Sequence, residues 1–270
     1  MIKYSGDAKI YSKITKYICD GPIPQSWYQP FYFKPSSNLL VQNKEGSCGL
    51  FASIQAYIHL YTMCGTDLSN EILLLNAVLE IMNNIRPCFV ICTKVDDKNK
   101  AIEWYATQDR NEAATYINDQ KWLSEDNATI LFMYSIAILV GPILLENYAM
   151  HEPFILDDGN TNVTFVMLIL SGEILDSFMD GYNTESGMLI KGTNKRQNIG
   201  LLSQNQKIQA VGNNFKNPIN KIWVAFNDVH FTTIVKTPSG TFLHFDQLSH
   251  LSYFTPISQG NPFYQQLIGL

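Results

Sequence analysis

Two stretches in the first third of the chain carry apolar residues at the three- and four-residue spacing of a helix. They predict helices over residues 48–63 and 68–83. Pro87 follows the second stretch, and proline cannot continue a helix. The next residues, 88–93, are rich in aromatic and β-branched types and predict a strand. The regularly spaced apolar residues are Leu50, Phe51, Ile54, Tyr57, Ile58, Tyr61, Leu73, Leu74, Ala77, Val78 and Ile81.

Two further helices are predicted in the middle of the chain. Residues 130–145 hold almost no polar side chain, which predicts a helix buried on most of its sides. Pro142 interrupts this run before it reaches the roughly twenty apolar residues that a membrane span needs, so no membrane role is expected. Residues 163–170 predict a second, shorter helix.

Other parts of the chain show weaker patterns. Residues 1–40 hold short aromatic and proline-containing pieces, which predict an irregular strap that ends in a strand at residues 39–42. The polar and charged residues 96–126 show no clear period. Glycines punctuate residues 172–212 and predict loops and short strands.

The last fifty residues give the clearest strand pattern, with strands predicted at residues 222–226, 230–235 and 241–246. Thr237-Pro238-Ser239-Gly240 separates the last two strands. Proline suits the second position of a type I turn, and glycine suits the left-handed position that follows it. The segment therefore predicts a hairpin closed by a three-residue loop.

This turn favours one register of the hairpin over another, in which a two-residue loop with Thr237 facing Gly240 would put Asp246 on the opposite face. A loop at residues 238–240 places Thr232 opposite Asp246. His230 shares a face with Thr232 because side chains alternate along a strand. The carboxylate of Asp246 is therefore predicted to lie diagonally opposite His230, within reach of a hydrogen bond.

Cys48 lies at the predicted start of the first helix. The unpaired backbone N–H groups and the dipole of that helix end favour a thiolate, the form in which cysteine is a nucleophile. Gln42 stands six residues earlier and can present its side-chain amide to an oxyanion. The alternative interpretation is that Cys48 is a small core residue, because cysteine is among the most buried residue types.

A base and an orienting carboxylate complete a set for nucleophilic catalysis. In this hypothesis Cys48 attacks a carbonyl group, His230 transfers the proton, Asp246 orients the imidazole and Gln42 donates to the oxyanion. A histidine in a strand is more often structural than catalytic. An aspartate among the apolar residues of a strand is costly to bury unless it is paired, which favours the hypothesis.

The remaining histidines are weaker candidates. His244 shares a face with Asp246 and is an alternative base. His59 lies more than two helical turns beyond the cysteine, too far along the same helix to reach it. His151 and His250 occur in loop contexts where the pattern gives them no partner.

The composition is that of a globular protein, with 46% hydrophobic and 16% charged residues. One domain over residues 1–270 is the simplest organisation, with residues 1–25 as an N-terminal extension, and a monomer is expected. The net charge of −5 argues against a nucleic-acid partner. No signal-peptide pattern is present, so reduced thiols in the cytoplasm, or the nucleus, are expected. The cysteines are Cys19, Cys48, Cys64, Cys88 and Cys92.

No cofactor or metal is expected. The sequence contains no P-loop, dinucleotide-binding, zinc-protease or calcium-loop motif. Cys88 and Cys92 are four residues apart within a predicted strand, a spacing that fits neither a zinc site nor a thioredoxin-type motif.

Taken together, these segments resemble the MINDY family of deubiquitinating cysteine proteases. The resemblance runs in order over roughly residues 25 to 250 and centres on a Gly-x-Cys-Gly box preceded by a glutamine. The family usually has proline where Ser47 stands. The matching segments are Trp27-Tyr28-Gln29-Pro30-Phe31, residues 40–56, 168–172, 180–181, 189–192, 199–202, Trp223-Val224, His230-Phe231-Thr232 and His244-Phe245-Asp246-Gln247-Leu248.

The resemblance implies an α+β fold, a papain-like cysteine protease variant with helices packed on a mainly antiparallel sheet. By position it assigns the nucleophile to Cys48, the base to His230, the oxyanion residue to Gln42 and the third catalytic residue to Asp246. It implies hydrolysis of isopeptide bonds in polyubiquitin, with a preference for chains linked through lysine forty-eight of ubiquitin. Ubiquitin and polyubiquitin chains are then the partners. A catalytically inactive ubiquitin-binding module of the same fold and a papain-like acyltransferase are the alternatives.

Overall fold

The computed structural model of the chain describes residues 1–63, 65, 67–141, 152–185, 187–205, 210–227, 229–248 and 255–267. The longer helices within these ranges are α1 (Ala8–Ile18), α2 (Cys48–Met63), α3 (Asn70–Ile85), α4 (Arg110–Asp119), α5 (Ala128–Val140) and α6 (Val163–Ser171). Short helices span Gln25–Trp27, Trp122–Ser124, Asn213–Lys216 and Tyr264–Leu267.

The strands of the described residues form two larger sheets and two strand pairs. They are β1 (Ile2–Gly6), β2 (Tyr32–Phe33), β3 (Leu40–Val41), β4 (Phe89–Asp96), β5 (Ala101–Thr107), β6 (Tyr182–Glu185), β7 (Met188–Lys191), β8 (Gly200–Ser203), β9 (Ile222–Phe226), β10 (Phe231–Lys236), β11 (Phe242–Phe245) and β12 (Thr255–Pro256).

The larger sheet has the order β12-β11-β10-β9-β8, and only the contact between β8 and β9 is parallel. The smaller sheet has the antiparallel order β1-β5-β4, and β2 pairs with β3 as β6 does with β7. Helices and largely antiparallel strands therefore build an α+β fold, as the sequence predicts.

Helix α2 runs through the middle of the core. All residues from Cys48 to His59 are buried. The helix packs against β9 and β10 on one side and against α3 and α6 on others. A helix that is apolar all round is expected to be surrounded in this way. Its first residue is consequently delivered to the sheet that carries the C-terminal strands.

The predicted C-terminal hairpin is confirmed, including its register. The backbone N–H of Thr237 donates to the carbonyl of Thr241 at 2.8 Å, and Gly240 has a φ of 86°. Thr233 pairs with Phe245, so the ladder continues to the predicted opposition of residues 232 and 246. The turn residues and the alternation of side chains along a strand were sufficient to predict this register, because both are local properties of the sequence.

The predicted irregular strap over residues 1–40 is wrong for its first half. Residues 2–6 form β1 and residues 8–18 form α1, which begins after Asp7. The carboxylate of Asp7 accepts from the backbone N–H groups of Lys9 and Ile10, an N-cap that satisfies the first turn. Helix α1 then buries residues 11, 14 and 18, a helical spacing that the many polar residues between them obscure.

Residues 96–126, for which no period was found, also contain regular structure, namely β5 and α4. The buried apolar helix is present as α5, whereas residues 142–145 of that prediction lie outside the described residues. Among the described residues, no helix is long and apolar enough to cross a membrane. The single-domain organisation stays a prediction.

Candidate active site

Cys48 is the first residue of α2 and is 2% exposed. The preceding residue, Ser47, begins the helical hydrogen bonds because its carbonyl accepts from Phe51 N–H at 3.1 Å. The next backbone N–H, that of Gly49, donates to the hydroxyl of Thr161 at 3.2 Å. The sulfur is therefore held at a helix N-terminus, where backbone N–H groups point outward from the first turn.

His230 and Asp246 meet at the end of the C-terminal hairpin. His230 stands just before β10 and Asp246 just after β11. The imidazole Nε2 lies 2.9 Å from the Asp246 Oδ1, and the same oxygen accepts from the backbone N–H of Leu248 at 2.9 Å. The two side chains are 20% and 32% exposed, so the pair lies at the protein surface.

The environment of His230 favours the imidazolium. Burial lowers the pKa of His230, but hydrogen bonds to Asp246 and Cys48 and the charges of both groups outweigh it and raise that pKa to about 10. The pKa of Asp246 is lowered: burial acts to raise it, and the hydrogen bond and charge of His230 prevail. The structure thus brings Cys48, His230 and Asp246 together.

Gln42 is also buried, and its side-chain amide is hydrogen-bonded to the backbone of Lys44. Its backbone N–H donates to the carbonyl of Gln247 at 3.1 Å, and its side-chain Nε2 donates to the carbonyl of Lys44 at 2.6 Å. Its Oε1 is buried and has no hydrogen-bond partner among the residues that the structure describes. One Nε2 hydrogen faces Lys44, which leaves the second available to another acceptor.

Buried polar side chains connect the strand of His230 to the helix of Cys48. Gln247 Nε2 donates to the hydroxyl of Thr233 at 2.7 Å, and that hydroxyl donates to the carbonyl of Ala52 at 3.1 Å. Thr233 belongs to β10 and Ala52 to α2. Buried polar groups of this kind fix one relative placement, because any shift would leave a donor unpaired.

Sequence reasoning missed these connecting residues. Gln247 directly follows Asp246, and Thr233 is a polar residue inside a strand that is otherwise mostly apolar. A polar residue at a core position is a recognisable signal, since it has to find a partner when buried. Its partner, however, comes from an element that the local pattern does not identify.

The other histidines that the structure describes are His59 and His244. His59 is buried within α2, where its Nε2 lies 3.0 Å from the Gln55 Nε2, and burial lowers its pKa to about 4. His244 is opposite Ile234 in the sheet, and its pKa is lowered, mainly by burial. His151 and His250 lie outside the described residues.

The described cysteines are free thiols, namely Cys19, Cys48, Cys88 and Cys92. Cys64 lies outside the described residues. Within the described ranges no three histidine, cysteine or acidic side chains come together in a way that could hold a metal ion. The reactive groups that the structure brings together at this site are a thiol, an imidazole and a carboxylate.

Comparisons with known proteins identify the family. The family described as "Deubiquitinating enzyme MINDY-3/4, conserved domain" matches residues 76–259, a range that includes His230 and Asp246 and begins after Cys48. The protein named "Ubiquitin carboxyl-terminal hydrolase MINDY-3 homolog" of Drosophila melanogaster is 26% identical over 127 residues. That match covers 45% of this chain and only 23% of the fly protein. No solved structure matches the chain.

The family match extends over more than half of the sequence, and it includes the sheet that carries the imidazole and the carboxylate. The predicted papain-like α+β architecture agrees with it. We conclude that the chain belongs to the MINDY-3/4 family of deubiquitinating enzymes.

Proposed function

We propose that this chain hydrolyses isopeptide bonds in polyubiquitin by thiol catalysis. The observation that carries the proposal is the position of the His230 imidazole: its Nε2 lies 2.9 Å from Asp246 Oδ1, and Cys48 is near enough to help raise the pKa of His230. A nucleophile, a base and an orienting group in hydrogen-bonded sequence are the signature of nucleophilic acyl transfer. The family name supports ubiquitin conjugates as the substrate.

In the proposed reaction the Cys48 sulfur attacks the carbonyl carbon of the isopeptide bond as a thiolate. Asp246 engages Nε2 of His230, so Nδ1 is the ring nitrogen proposed to exchange the proton with the thiol. The imidazolium donates its proton to the departing lysine amine, and the carbon–nitrogen bond breaks. Water, deprotonated by the same imidazole, then hydrolyses the thioester and restores the thiol.

Two donors are proposed for the oxyanion of the tetrahedral intermediate. The backbone N–H of Cys48 lies in the first helical turn, where no intrahelical acceptor exists. The second donor is the side-chain amide of Gln42, through the hydrogen that does not face Lys44. Donors that are already oriented where negative charge develops stabilise the transition state more than the ground state.

Ubiquitin and polyubiquitin are the proposed partners, and chains linked through lysine forty-eight of ubiquitin are the proposed preferred substrate. This preference rests on the resemblance to the family. The cytoplasm is the proposed compartment, with the nucleus as an alternative. Support comes from the described cysteines, which are all free thiols.

The experiment is reaction with a ubiquitin probe that bears a C-terminal electrophile, followed by cleavage of a panel of diubiquitins. Wild-type protein should form one adduct, and Cys48→Ala should form none. Cys88→Ala is the control, because it removes a different free thiol, which is more exposed than Cys48, and should leave the adduct intact. An adduct that survives Cys48→Ala would show that the assignment is wrong.

A second candidate function is a catalytically inactive ubiquitin-binding module. Two observations favour it, namely the 2% exposure of Cys48 and the contact of the Gln42 amide with Lys44. The two candidates differ in a simple measurement. Saturable ubiquitin binding without cleavage of any diubiquitin or longer chain would support the module, and cleavage that depends on Cys48 would exclude it.

A further inference from the structure

We infer that Gln29 is a positioning residue for the proposed reaction. Its side-chain amide fixes the loop of residues 43–47, which joins the oxyanion candidate Gln42 to the nucleophile candidate Cys48. The inference rests on the proposed function, because it assigns Gln29 a part in that reaction. It adds a residue that neither the catalytic set nor the family match includes.

The amide of Gln29 contacts both ends of this loop. Its Oε1 accepts from the backbone N–H of Asn43 at 3.1 Å, directly after Gln42. Its Nε2 donates to the hydroxyl of Ser47 at 2.9 Å, directly before Cys48. Gln29 itself is 2% exposed, so these hydrogen bonds do not compete with bulk water. One planar group thus sets the distance between the two ends.

Gln29 is in turn anchored to an element outside the loop. Its backbone carbonyl accepts from both the N–H of Thr129, at 3.1 Å, and the hydroxyl of Thr129, at 2.6 Å. Thr129 lies in the first turn of α5, a helix buried along almost its whole length. The side-chain Nε2 also donates to the carbonyl of Ser26 at 2.8 Å. Through Gln29, the loop is therefore anchored to the buried helix α5.

The side-chain amide of Gln29 also lies close to the carbonyl of Lys44, the group that holds the side chain of Gln42. Nε2 of Gln29 lies 3.4 Å from the carbonyl oxygen of Lys44, and that oxygen accepts from Nε2 of Gln42 at 2.6 Å. A shift of the loop would therefore move the group that holds the oxyanion candidate. Small misplacements of catalytic groups reduce the reaction rate strongly. A residue that only fixes this geometry can therefore still affect the turnover number.

The test is a double-mutant cycle in kcat for hydrolysis of a ubiquitin C-terminal fluorogenic amide. Gln29→Met keeps the length of the side chain and removes every hydrogen bond of the amide. We expect it to lower kcat by about tenfold with KM within about twofold, because it displaces a transition-state donor but touches no substrate. In a Gln42→Ala background the same substitution should lower kcat by less than about twofold, since the residue that it positions is gone.

Gln197→Met is the matched control. Gln197 is also a buried glutamine, and its Nε2 donates to the Thr193 hydroxyl and the Lys195 carbonyl at 2.7 Å each. Its contacts lie between β7 and β8, so its loss should reduce stability and leave kcat unchanged. Ser47→Ala is the second variant, for the case in which Gln29→Met does not fold. It removes only the acceptor at the cysteine end of the loop and should lower kcat in the same non-additive way.

The outcomes distinguish failure of the inference from failure of the proposed function. Wild-type protein without any hydrolysis overturns both. Hydrolysis by wild-type protein, with kcat unchanged in Gln29→Met or with equal losses in the two backgrounds, overturns the inference alone. A purely structural glutamine would produce such equal losses. Coupling between Gln29 and Gln42, with none between Gln197 and Gln42, is the result expected for a positioning residue.

Discussion

The hydroxyl of Thr161 accepts a hydrogen bond from the backbone N–H of Gly49 at 3.2 Å, although the two residues are 112 positions apart. The same hydroxyl donates to the carbonyl of Gly46 at 2.8 Å. Ser47 would normally cap the helix that follows it, but its hydroxyl accepts from Gln29. The cap of the cysteine helix is therefore supplied by a distant segment of the chain.

Replacing Thr161 with valine should destabilise this helix start. Valine keeps the shape of threonine, so the loss is that of the hydroxyl and leaves the buried N–H of Gly49 unpaired. We expect the free energy of unfolding to fall by about 1–2 kcal/mol, as measured by chemical denaturation. We also expect kcat to fall, because Cys48 is the residue next to the lost hydrogen bond.

The cap of α4 provides the control for this substitution. The carboxylate of Asp109 accepts from the N–H groups of Asn111 and Glu112, at 2.8 and 3.2 Å. Asp109→Ala should reduce stability by a similar amount and leave kcat unchanged. If Thr161→Val behaves like Asp109→Ala in both measurements, the cap has no special connection to the cysteine.

Asp246→Asn should lower activity less than His230→Ala, which we expect nearly to abolish it. The amide keeps the size of the carboxylate, and other contacts still hold the ring in part. We expect kcat to fall by roughly ten- to a hundredfold. Loss of the carboxylate also removes part of what raises the pKa of His230, so the alkaline limb of the kcat/KM profile should move to lower pH. An unmoved limb would contradict this account.

The paired imidazole should also make stability depend on pH. Its pKa is raised from 6.5 to about 10 in the folded protein, so folded molecules bind more protons than unfolded ones between these values. The stabilisation is complete below about pH 6.5 and is lost as the pH rises through 10. The free energy of unfolding should therefore fall more steeply from pH 7 to pH 9.5 in wild-type protein than in His230→Gln. Equal slopes in the two proteins would contradict the pairing.

The sequence was sufficient for the parts of the site that local rules determine. The helix after Cys48 and the register of the C-terminal hairpin follow from apolar spacing and from one turn, and both were predicted correctly. These rules also brought His230 and Asp246 to one face. Neither rule depends on which other segments pack nearby.

The contacts that fix the loop before Cys48 could not be predicted in this way. Gln29 and Thr161 reach it from segments that lie 14 positions before Asn43 and 112 positions after Gly49. Each makes hydrogen bonds to backbone groups near Cys48, and backbone groups carry no side-chain pattern. Helix α1 was missed for a different reason, namely that polar residues separate the three residues that it buries.

His59 is connected through Gln55 to the strand that leads to Gln42, and this connection should make stability depend on acid pH. Gln55 Oε1 accepts from Leu40 N–H at 2.6 Å, and its Nε2 donates to the carbonyl of Asn38 at 3.1 Å. The second hydrogen on Nε2 is then directed at His59 Nε2, 3.0 Å away. The imidazole nitrogen is therefore the acceptor in this contact, which requires the neutral ring.

Acid should consequently destabilise the protein through His59. Burial lowers its pKa from 6.5 to about 4, so unfolded molecules bind more protons between these values and stability is lost as the pH falls through this range. We expect the contribution to be on the order of 2 kcal/mol between pH 7 and pH 4.5. His59→Leu should be less stable at pH 7, because a Gln55 hydrogen is left unpaired, yet should lose less stability on acidification. Urea denaturation of both proteins at the two pH values measures this difference. An equal loss in both would show that the buried ring does not govern the acid response.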